Sequence, residues 1–128
     1  MPGKNVFPRR SRLLKHAEFE AVYKKGRRHF SPSMTFFYQL DPLAERKAAR
    51  VGFTVSRALG GAVERNRMKR RLRDAVRHHR EELDRKMAER GIAVEIVINP
   101  KRTLLAAETA ALHQEVARAF RLIGDAKL

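Results

Sequence analysis

The apolar positions along the chain follow a helical period in some segments and a two-residue period in others. From His16 to Lys25 apolar residues recur at the i, i+3, i+4 spacing of one helical face, and Gly26 follows where a helix would end. This spacing predicts a first helix. From Ser33 to Leu40 apolar and polar residues alternate, which predicts a strand with one mostly apolar face and one mixed face.

The middle of the chain carries a second strand pattern followed by a long helical one. Val51, Phe53 and Val55 alternate with small or polar residues and predict a second strand. A helical pattern then extends over about residues 62–90, and Gly91 marks its end.

The last third predicts one buried strand and one helix. Residues 92–98 are almost continuously apolar and β-branched, and Asn99-Pro100 ends that strand pattern. Thr103 is a possible N-cap of the last helix. The apolar stripe of that helix is formed by Leu112, Val116, Ala119, Phe120 and Ile123.

The order of these elements predicts an α+β fold. Its helices and strands follow one another as α-β-β-α-β-α, with a possible short extra strand around residues 27–30. A single-domain α-β sandwich, with a three- to four-stranded mixed sheet and about three helices, buries all the apolar stripes. We expect residues 1–12 to form a flexible basic arm, 13–124 the domain and 125–128 a tail.

The net charge of the chain indicates the kind of ligand that this domain binds. Lys and Arg number 29 against 14 Asp and Glu, a net charge of +15 that is typical of nucleic-acid-binding proteins. The absence of cysteine excludes thiolate zinc sites and suits a cytoplasmic protein. No apolar run reaches the roughly 18 to 20 residues of a membrane span, so we expect no membrane partner.

The positive charge is concentrated at the start of the long predicted helix. Eight of the sixteen residues from Arg65 to Arg80 are Lys or Arg, and Asp74 is the one acidic residue among them. Pairing within the helix therefore cannot neutralise the segment, and a phosphate backbone is the expected partner. If about six phosphates were neutralised, log affinity would fall with log salt at a slope of about −5.

A helical wheel at 100° per residue separates an apolar arc from a basic stripe. The apolar arc contains Met68, Leu72, Ala75, Val76, His79 and Leu83. The neighbouring stripe contains Asn66, Arg70, Arg73, Arg77 and Arg80, with Lys69 at its border and Arg67 and Arg71 on the far side. The preference for arginine in this stripe favours binding to a nucleic acid, because the planar guanidinium can bind two phosphate oxygens at once and can stack on bases.

No cluster of side chains indicates catalysis or metal binding by the protein itself. Glu81, Glu82 and Asp84 lie among basic residues and are interpreted as solvated charges. His78 and His79 are adjacent, so they point about 100° apart on a helix and cannot hold one metal ion together. The other histidines, His16, His29 and His113, are interpreted as isolated.

The block Arg65-Asn66-Arg67-x-Lys69-Arg70-x-x-Arg73 closely resembles the RNR signature of the bacterial ribonuclease P protein subunit. Residues 50–57, with Gly60, Ala62 and Val63, are similar to the strand and turn that precede the signature. The resemblance covers about Arg12 to Phe120 and includes the first helix and the last strand. Two departures are Ala58, where members often carry lysine, and Gly61, where they often carry asparagine or lysine.

This resemblance implies an accessory subunit of an RNA enzyme that removes the 5′ leader of precursor tRNA. Magnesium would be held mainly by the catalytic RNA, with no catalytic or metal-binding residue in the protein and no role for DNA. The fold implied is that of the second domain of the fifth small-subunit ribosomal protein, with a left-handed β-α-β crossover. The residues implied to contact the catalytic RNA are Arg57, Arg65, Asn66, Arg67, Lys69, Arg70, Arg73 and Arg77.

In the same family, a cleft between the first helix and the sheet holds the single-stranded leader. The matching positions are Phe19, Tyr23, Thr35 and Phe37. Phe37 lies on the mixed face of its strand, and aromatic rings beside a basic surface are typical platforms for unpaired bases. Ordinary helix packing is the alternative for Phe19 and Tyr23. A structural ribosomal-type RNA-binding protein is the alternative for the whole chain, since it would need the basic helix but no aromatic cleft.

Overall fold

The computed structural model describes Arg12 and residues 15–128, so the predicted basic arm lies outside it except for its last residue. The described residues contain three α-helices: α1 His16–Lys25, α2 Ala62–Arg90 and α3 Thr109–Gly124. The strands are β1 Arg27–Phe30, β2 Met34–Asp41, β3 Ala49–Phe53 and β4 Ala93–Pro100. The predicted α+β class is confirmed, as are the bounds of α1, the extra strand β1 and the extent of α2.

The four strands form one mixed sheet in the order β1-β2-β4-β3. The β1–β2 and β2–β4 pairs are antiparallel, whereas β3 and β4 are parallel neighbours joined through α2. Parallel neighbours need such a crossover, because the chain must return to the same end of the sheet. The left-handed sense of this crossover stays a prediction.

Successive residues of β2 point to opposite faces of the sheet and so separate two apolar layers. Phe36 belongs to the main core, which α2 and α3 close on one face of the sheet. Phe37 belongs to a smaller cluster on the other face, where Val22 of α1 packs on Val97 of β4. The sheet therefore lies between α1 on one side and the α2–α3 pair on the other.

The turn after α1 brings two backbones too close for a side chain. A Cβ at Gly26 would lie 2.3 Å from the carbonyl oxygen of Val22 and 2.7 Å from that of Tyr38. Glycine at this position therefore lets the chain pass directly from α1 into β1. This close approach fixes the end of α1 against the middle of β2.

Apart from one-residue shifts at both ends of β2 and at the start of β4, three predicted boundaries differ from the structure. The strand β3 ends at Phe53, so Val55 lies outside it, although the Thr54 amide still donates to the Ile98 carbonyl at 3.0 Å. The strand β4 continues through Pro100, which pairs with Met34 at the strand end, a place that proline tolerates.

The third difference concerns Thr103, and the prediction that it caps the last helix is wrong. A 3₁₀ turn over Arg102–Ala106 intervenes, α3 begins at Thr109, and its N-cap residue is Glu108. The Thr103 hydroxyl instead donates to the Pro32 carbonyl at 2.9 Å. The threonine thus fixes the 3₁₀ turn to the loop before β2.

Asp84 is not the solvated charge that the sequence predicted. Its carboxylate accepts a hydrogen bond from the Ala49 amide at 2.8 Å and pairs with Arg80 at 3.1 Å. Because both groups are partly buried, Asp84 fixes the C-terminal third of α2 against the first residue of β3.

Candidate nucleic-acid interface

One face of α2 is buried, as the wheel predicted, and basic residues cover the face beside it. The buried residues are Met68, Leu72, Ala75, Val76, Leu83 and Met87. His79, which was predicted on the apolar arc, is only partly buried, because it faces α3 rather than the sheet. Among the predicted RNA-binding residues, those exposed are Arg57, Asn66, Arg67, Arg70 and Arg73, and those partly buried are Arg65, Lys69 and Arg77.

The basic residues of α2 line a groove of about 740 Å³ between this helix and the start of α3. Its lining residues are Arg67, Arg70, Arg71, Arg73, Asp74, Arg77, Thr109 and His113. Asp74 pairs with Arg77 one turn along the helix and leaves the positive charge of the other arginines largely uncompensated. Such a groove attracts an anion with several negative charges, and a phosphate backbone fits that description.

Arg71 has a structural role that the sequence did not indicate. Predicted on the far side of the helix, its guanidinium donates to the carbonyl oxygens of Leu104 at 2.6 Å, Leu105 at 3.3 Å and Ala107 at 2.5 Å. These bonds satisfy carbonyl groups of the 3₁₀ turn before α3. Arg71 therefore stabilises the wall of the groove, while its neighbours present their charge to solvent.

On the other face of the sheet, the structure brings the four predicted cleft residues together. Phe19, Tyr23 and Phe37 are all partly buried and pack against the Val22–Val97 pair. Thr35 lies two residues before Phe37 and therefore on the same face of β2. Helix packing and a partly open aromatic surface thus occur at the same residues, so the two interpretations of Phe19 and Tyr23 do not exclude each other.

The Tyr23 hydroxyl ties α1 to the end of the sheet. It lies 3.0 Å from the Asn99 side-chain oxygen, to which it donates, and 2.7 Å from the Thr54 hydroxyl. Asn99 is the direct neighbour of Thr35 across the β2–β4 ladder. The aromatic cleft, as we call Phe19, Tyr23, Thr35 and Phe37, therefore has a polar floor at the end of β4.

Sequence reasoning missed a cation at this cleft. Arg28 is the cross-strand neighbour of Phe37, and its guanidinium carbon lies 5.5 Å from the centre of that ring. This distance is typical of a cation–π contact. Nearby Phe30 is 64% exposed on the same face, opposite Thr35. The missing signal was the β1–β2 register, which a sequence pattern of four residues does not fix.

Charged side chains hold α1 in place at the opposite end of the cleft. Arg50 of β3 contacts the Glu18 carboxylate of α1 at 2.5 Å and the Glu95 carboxylate of β4 at 3.3 Å. Burial raises the pKa of Glu95 above its ordinary value, although the Arg50 charge acts in the opposite direction. The ion pairs and the Tyr23 hydroxyl thus fix α1 to the sheet at two separate places.

The prediction that His113 is isolated is wrong, because α3 carries it to the histidines of α2. Its Nδ1 lies 3.1 Å from Nε2 of His79, and its ring centre lies 5.1 Å from that of His78. Burial, and then the proximity of His113 and His78, lowers the pKa of His79 below its ordinary value. The contact is between two helices and could not be read from the spacing in either one.

In the described part of the chain, no helix has the length and apolar character to cross a membrane. The sheet, the basic groove and the aromatic cleft together form a small basic α+β domain, with a charge typical of the proteins that bind nucleic acid.

Comparison with known proteins identifies the family within this class. The Ribonuclease P family profile matches residues 7–124. The ribonuclease P protein component of Finegoldia magna is 35% identical over 107 residues, which cover 80% of this chain and 85% of that protein. The same component from Desulfovibrio desulfuricans is 44% identical over 78 residues, which cover 61% of this chain and 59% of that protein. The chain therefore belongs to the ribonuclease P protein family.

Solved structures agree with this assignment at the level of the fold. The ribonuclease P protein of Staphylococcus aureus superposes with a TM-score of 0.70 at 22% identity, covering 88% of this chain and 94% of that one. The protein of Thermotoga maritima gives 0.69 at 17% identity, with 86% and 94% covered. Members of the family are accessory subunits of an endoribonuclease that matures the 5′ end of tRNA, which implies a partnership with the ribonuclease P RNA.

Proposed function

We propose that this chain assembles with the ribonuclease P RNA through the basic surface of α2 and holds the 5′ leader of precursor tRNA in the aromatic cleft. The observation that carries the proposal is the separation of the two surfaces. The groove lies beside α2 and α3 on one face of the sheet, and the cleft lies beneath α1 on the other. One protein can therefore contact two RNA molecules at once.

The surface of α2 supports binding to a large folded RNA. Arg67, Arg70 and Arg73 are exposed and line the same groove, where guanidinium groups can bind phosphate oxygens in pairs. Asn66 is exposed beside them and adds a neutral donor and acceptor for a sugar or base edge. Arg57 belongs to a 3₁₀ turn that precedes α2 and extends the basic surface toward the sheet.

The aromatic cleft supports binding to an unpaired strand. Its rings are partly exposed, and each base stacked on such a ring contributes roughly 1 to 3 kcal/mol without strong sequence preference. Arg28 adds a positive charge for the backbone, and Thr35 with Asn99 provides hydrogen-bonding groups. This chemistry suits a leader whose sequence differs from one precursor tRNA to another.

The protein does not fit the magnesium ion that the family enzyme implies. Among the described residues, one group of three side chains could hold a metal ion, and two of its three members are histidines. Magnesium prefers oxygen ligands in octahedral geometry, so this donor set does not suit it. We therefore assign the magnesium ions of the reaction mainly to RNA phosphates and give the protein the roles of binding and positioning.

A structural ribosomal-type RNA-binding protein is the competing function. It would explain the basic surface of α2, but it gives no reason for partly exposed aromatic rings with a cation at their edge. The two functions differ in one measurable property. Only the ribonuclease P subunit should distinguish precursor tRNA from mature tRNA.

Reconstitution tests the proposal directly. The purified protein should leave precursor tRNA intact on its own, and with the cognate catalytic RNA it should lower the magnesium concentration needed for cleavage. It should also raise the affinity for precursor more than for mature tRNA. Equal affinity for both tRNAs would favour the structural alternative, and metal-dependent cleavage by RNA-free protein would contradict the accessory role.

A further inference from the structure

Two helices bring three potential metal ligands together at the end of the basic groove. Asp74 and His78 lie one turn apart on α2, and His113 projects from α3 toward them. One ligand atom from each residue lies within 4.8 Å of the other two. Nε2 of His113 approaches Oδ2 of Asp74 at 3.6 Å. Nδ1 of His78 lies 3.8 Å from the other carboxylate oxygen, Oδ1, which places the His78 ring beside the same carboxylate.

Neighbouring groups already orient each of the three side chains. His78 Nδ1 lies 2.8 Å from the Asp74 backbone carbonyl, so a proton held there leaves the lone pair on Nε2. His113 Nδ1 contacts His79 Nε2 at 3.1 Å, and when the proton of His113 lies on Nδ1 its Nε2 lone pair faces Asp74. Arg77 pairs with Oδ1 of Asp74. Metal-binding histidines and carboxylates typically have such outer partners on the atom that does not bind the metal.

We propose that Asp74, His78 and His113 form a binding site for one divalent transition-metal ion of the zinc class. Two imidazole nitrogens and one carboxylate oxygen are the donors that such ions prefer, and three protein ligands leave positions for water. Metal–ligand bonds of about 2.0–2.2 Å require the ligand atoms to move somewhat closer than they lie here. The side chains allow this, since Asp74 and His78 are 41% and 42% exposed.

The position of Asp74 supports this assignment. It is the one acidic residue between Arg65 and Arg80, and it lies where the two histidines meet. Its charge offsets part of the repulsion that the surrounding arginines exert on a cation. Because the ligands come from α2 and α3, the bound ion would also join the two helices and stabilise the folded state by mass action.

The proposal is tested on the full chain without RNA. Titration with Co²⁺ should produce a visible d–d absorption band that saturates at one equivalent, and Zn²⁺ should displace it and raise the melting temperature. His78→Asn should weaken Zn²⁺ binding in calorimetry by more than about tenfold, as loss of even an outer partner costs 10- to 100-fold. Because His78 is exposed, we expect the His78→Asn variant to fold normally. His113→Asn should weaken Zn²⁺ binding in the same way.

His16→Asn is the matched control. His16 is an exposed helical histidine with the Glu20 carboxylate four residues later, at 3.2 Å, so it offers the ordinary surface pair that binds metals weakly. This variant should bind Co²⁺ and Zn²⁺ as the unaltered chain does. The proposal is overturned if the unaltered chain shows no saturable d–d band, if His78→Asn and His113→Asn bind normally, or if His16→Asn loses binding to the same extent.

Discussion

Tyr23 of α1 and Phe37 of β2 meet edge to face, with ring centres 4.9 Å apart and ring planes at 86°. This geometry is the favourable one for two aromatic rings and keeps the face of Phe37 away from that of Tyr23. Arg28 approaches the same Phe37 ring from β1. The rings are therefore held in position before any ligand arrives, and a base that stacks there meets a preorganised surface.

We expect Phe37→Ala to weaken binding of precursor tRNA to the reconstituted holoenzyme by about 1–3 kcal/mol, while binding of mature tRNA stays the same. The reason is the loss of a stacking platform for an unpaired leader base. The measurement is the dissociation constant for each tRNA at one fixed salt concentration.

Two further variants separate stacking from packing at this site. Phe37→Leu keeps an apolar side chain against Val97, so it should preserve the fold. Because leucine offers no ring for stacking, this variant should still weaken precursor binding by nearly as much as Phe37→Ala. Leu122→Ala, an exposed apolar residue of α3, should change neither affinity. Normal precursor binding by Phe37→Leu would show that packing, and not stacking, accounts for the alanine result.

We expect Tyr23→Phe to lower the free energy of unfolding by about 0.5–1.5 kcal/mol. The change keeps the ring against Phe37 but removes the hydroxyl that bonds Asn99 and Thr54. Urea denaturation monitored by circular dichroism measures the difference. A variant as stable as the unaltered chain would mean that the hydroxyl does not tie α1 to the end of the sheet.

The sequence predicted those parts of the fold that local signals determine. The extents of α1 and α2 followed from apolar spacing and from Gly26 and Gly91, and the two faces of β2 followed from strict alternation. Strand register and helix–helix contacts arise from residues far apart in the chain. For this reason Arg28 at the aromatic cleft and the approach of His113 to His79 appeared only in the structure.

Arg70 and Arg71 are neighbours on α2 but should respond differently to substitution. Arg70 faces solvent, whereas Arg71 donates to backbone carbonyl groups of the segment before α3. Arg70→Ala is expected to weaken assembly with the catalytic RNA and to reduce the slope of log affinity against log salt by about 1. Its free energy of unfolding should change by less than about 0.5 kcal/mol, as is usual for an exposed position. Filter binding at several salt concentrations gives the slope, and an unchanged slope would argue against a phosphate contact.

Arg71→Ala should instead lower the free energy of unfolding by about 1.5–3 kcal/mol. It removes a charged donor from the carbonyl groups of Leu104, Leu105 and Ala107, which then lie partly buried without that partner. Thermal or urea denaturation measures the loss. Arg71→Lys is an informative comparison, since a single ammonium group cannot reproduce the planar fork and should recover only part of the stability. Full stability of the alanine variant would contradict a structural role for Arg71.

Glu95 should make the stability of the protein fall as pH rises from about 4.5 toward neutrality. Because burial raises the pKa of Glu95 in the folded state above its ordinary 4.5, the folded chain keeps a proton that the unfolded chain has released within this window. The folded state then binds more protons than the unfolded state, so the Glu95 contribution to the free energy of unfolding decreases with rising pH. Glu95→Gln cannot titrate, so the variant should gain stability relative to the unaltered chain as pH increases.

The measurement is the difference in the free energy of unfolding between Glu95→Gln and the unaltered chain at several pH values from 4 to 7. Most other carboxylates cancel in this difference, which isolates the titration of Glu95 from the general acid sensitivity of the fold. Glu89→Gln, at an exposed position of α2, is the control for the replacement of a glutamate as such. If the Glu95 difference instead decreased as pH rose, the attraction of Arg50 would outweigh burial, and the Arg50–Glu95 pair would be a net stabilising contact between β3 and β4.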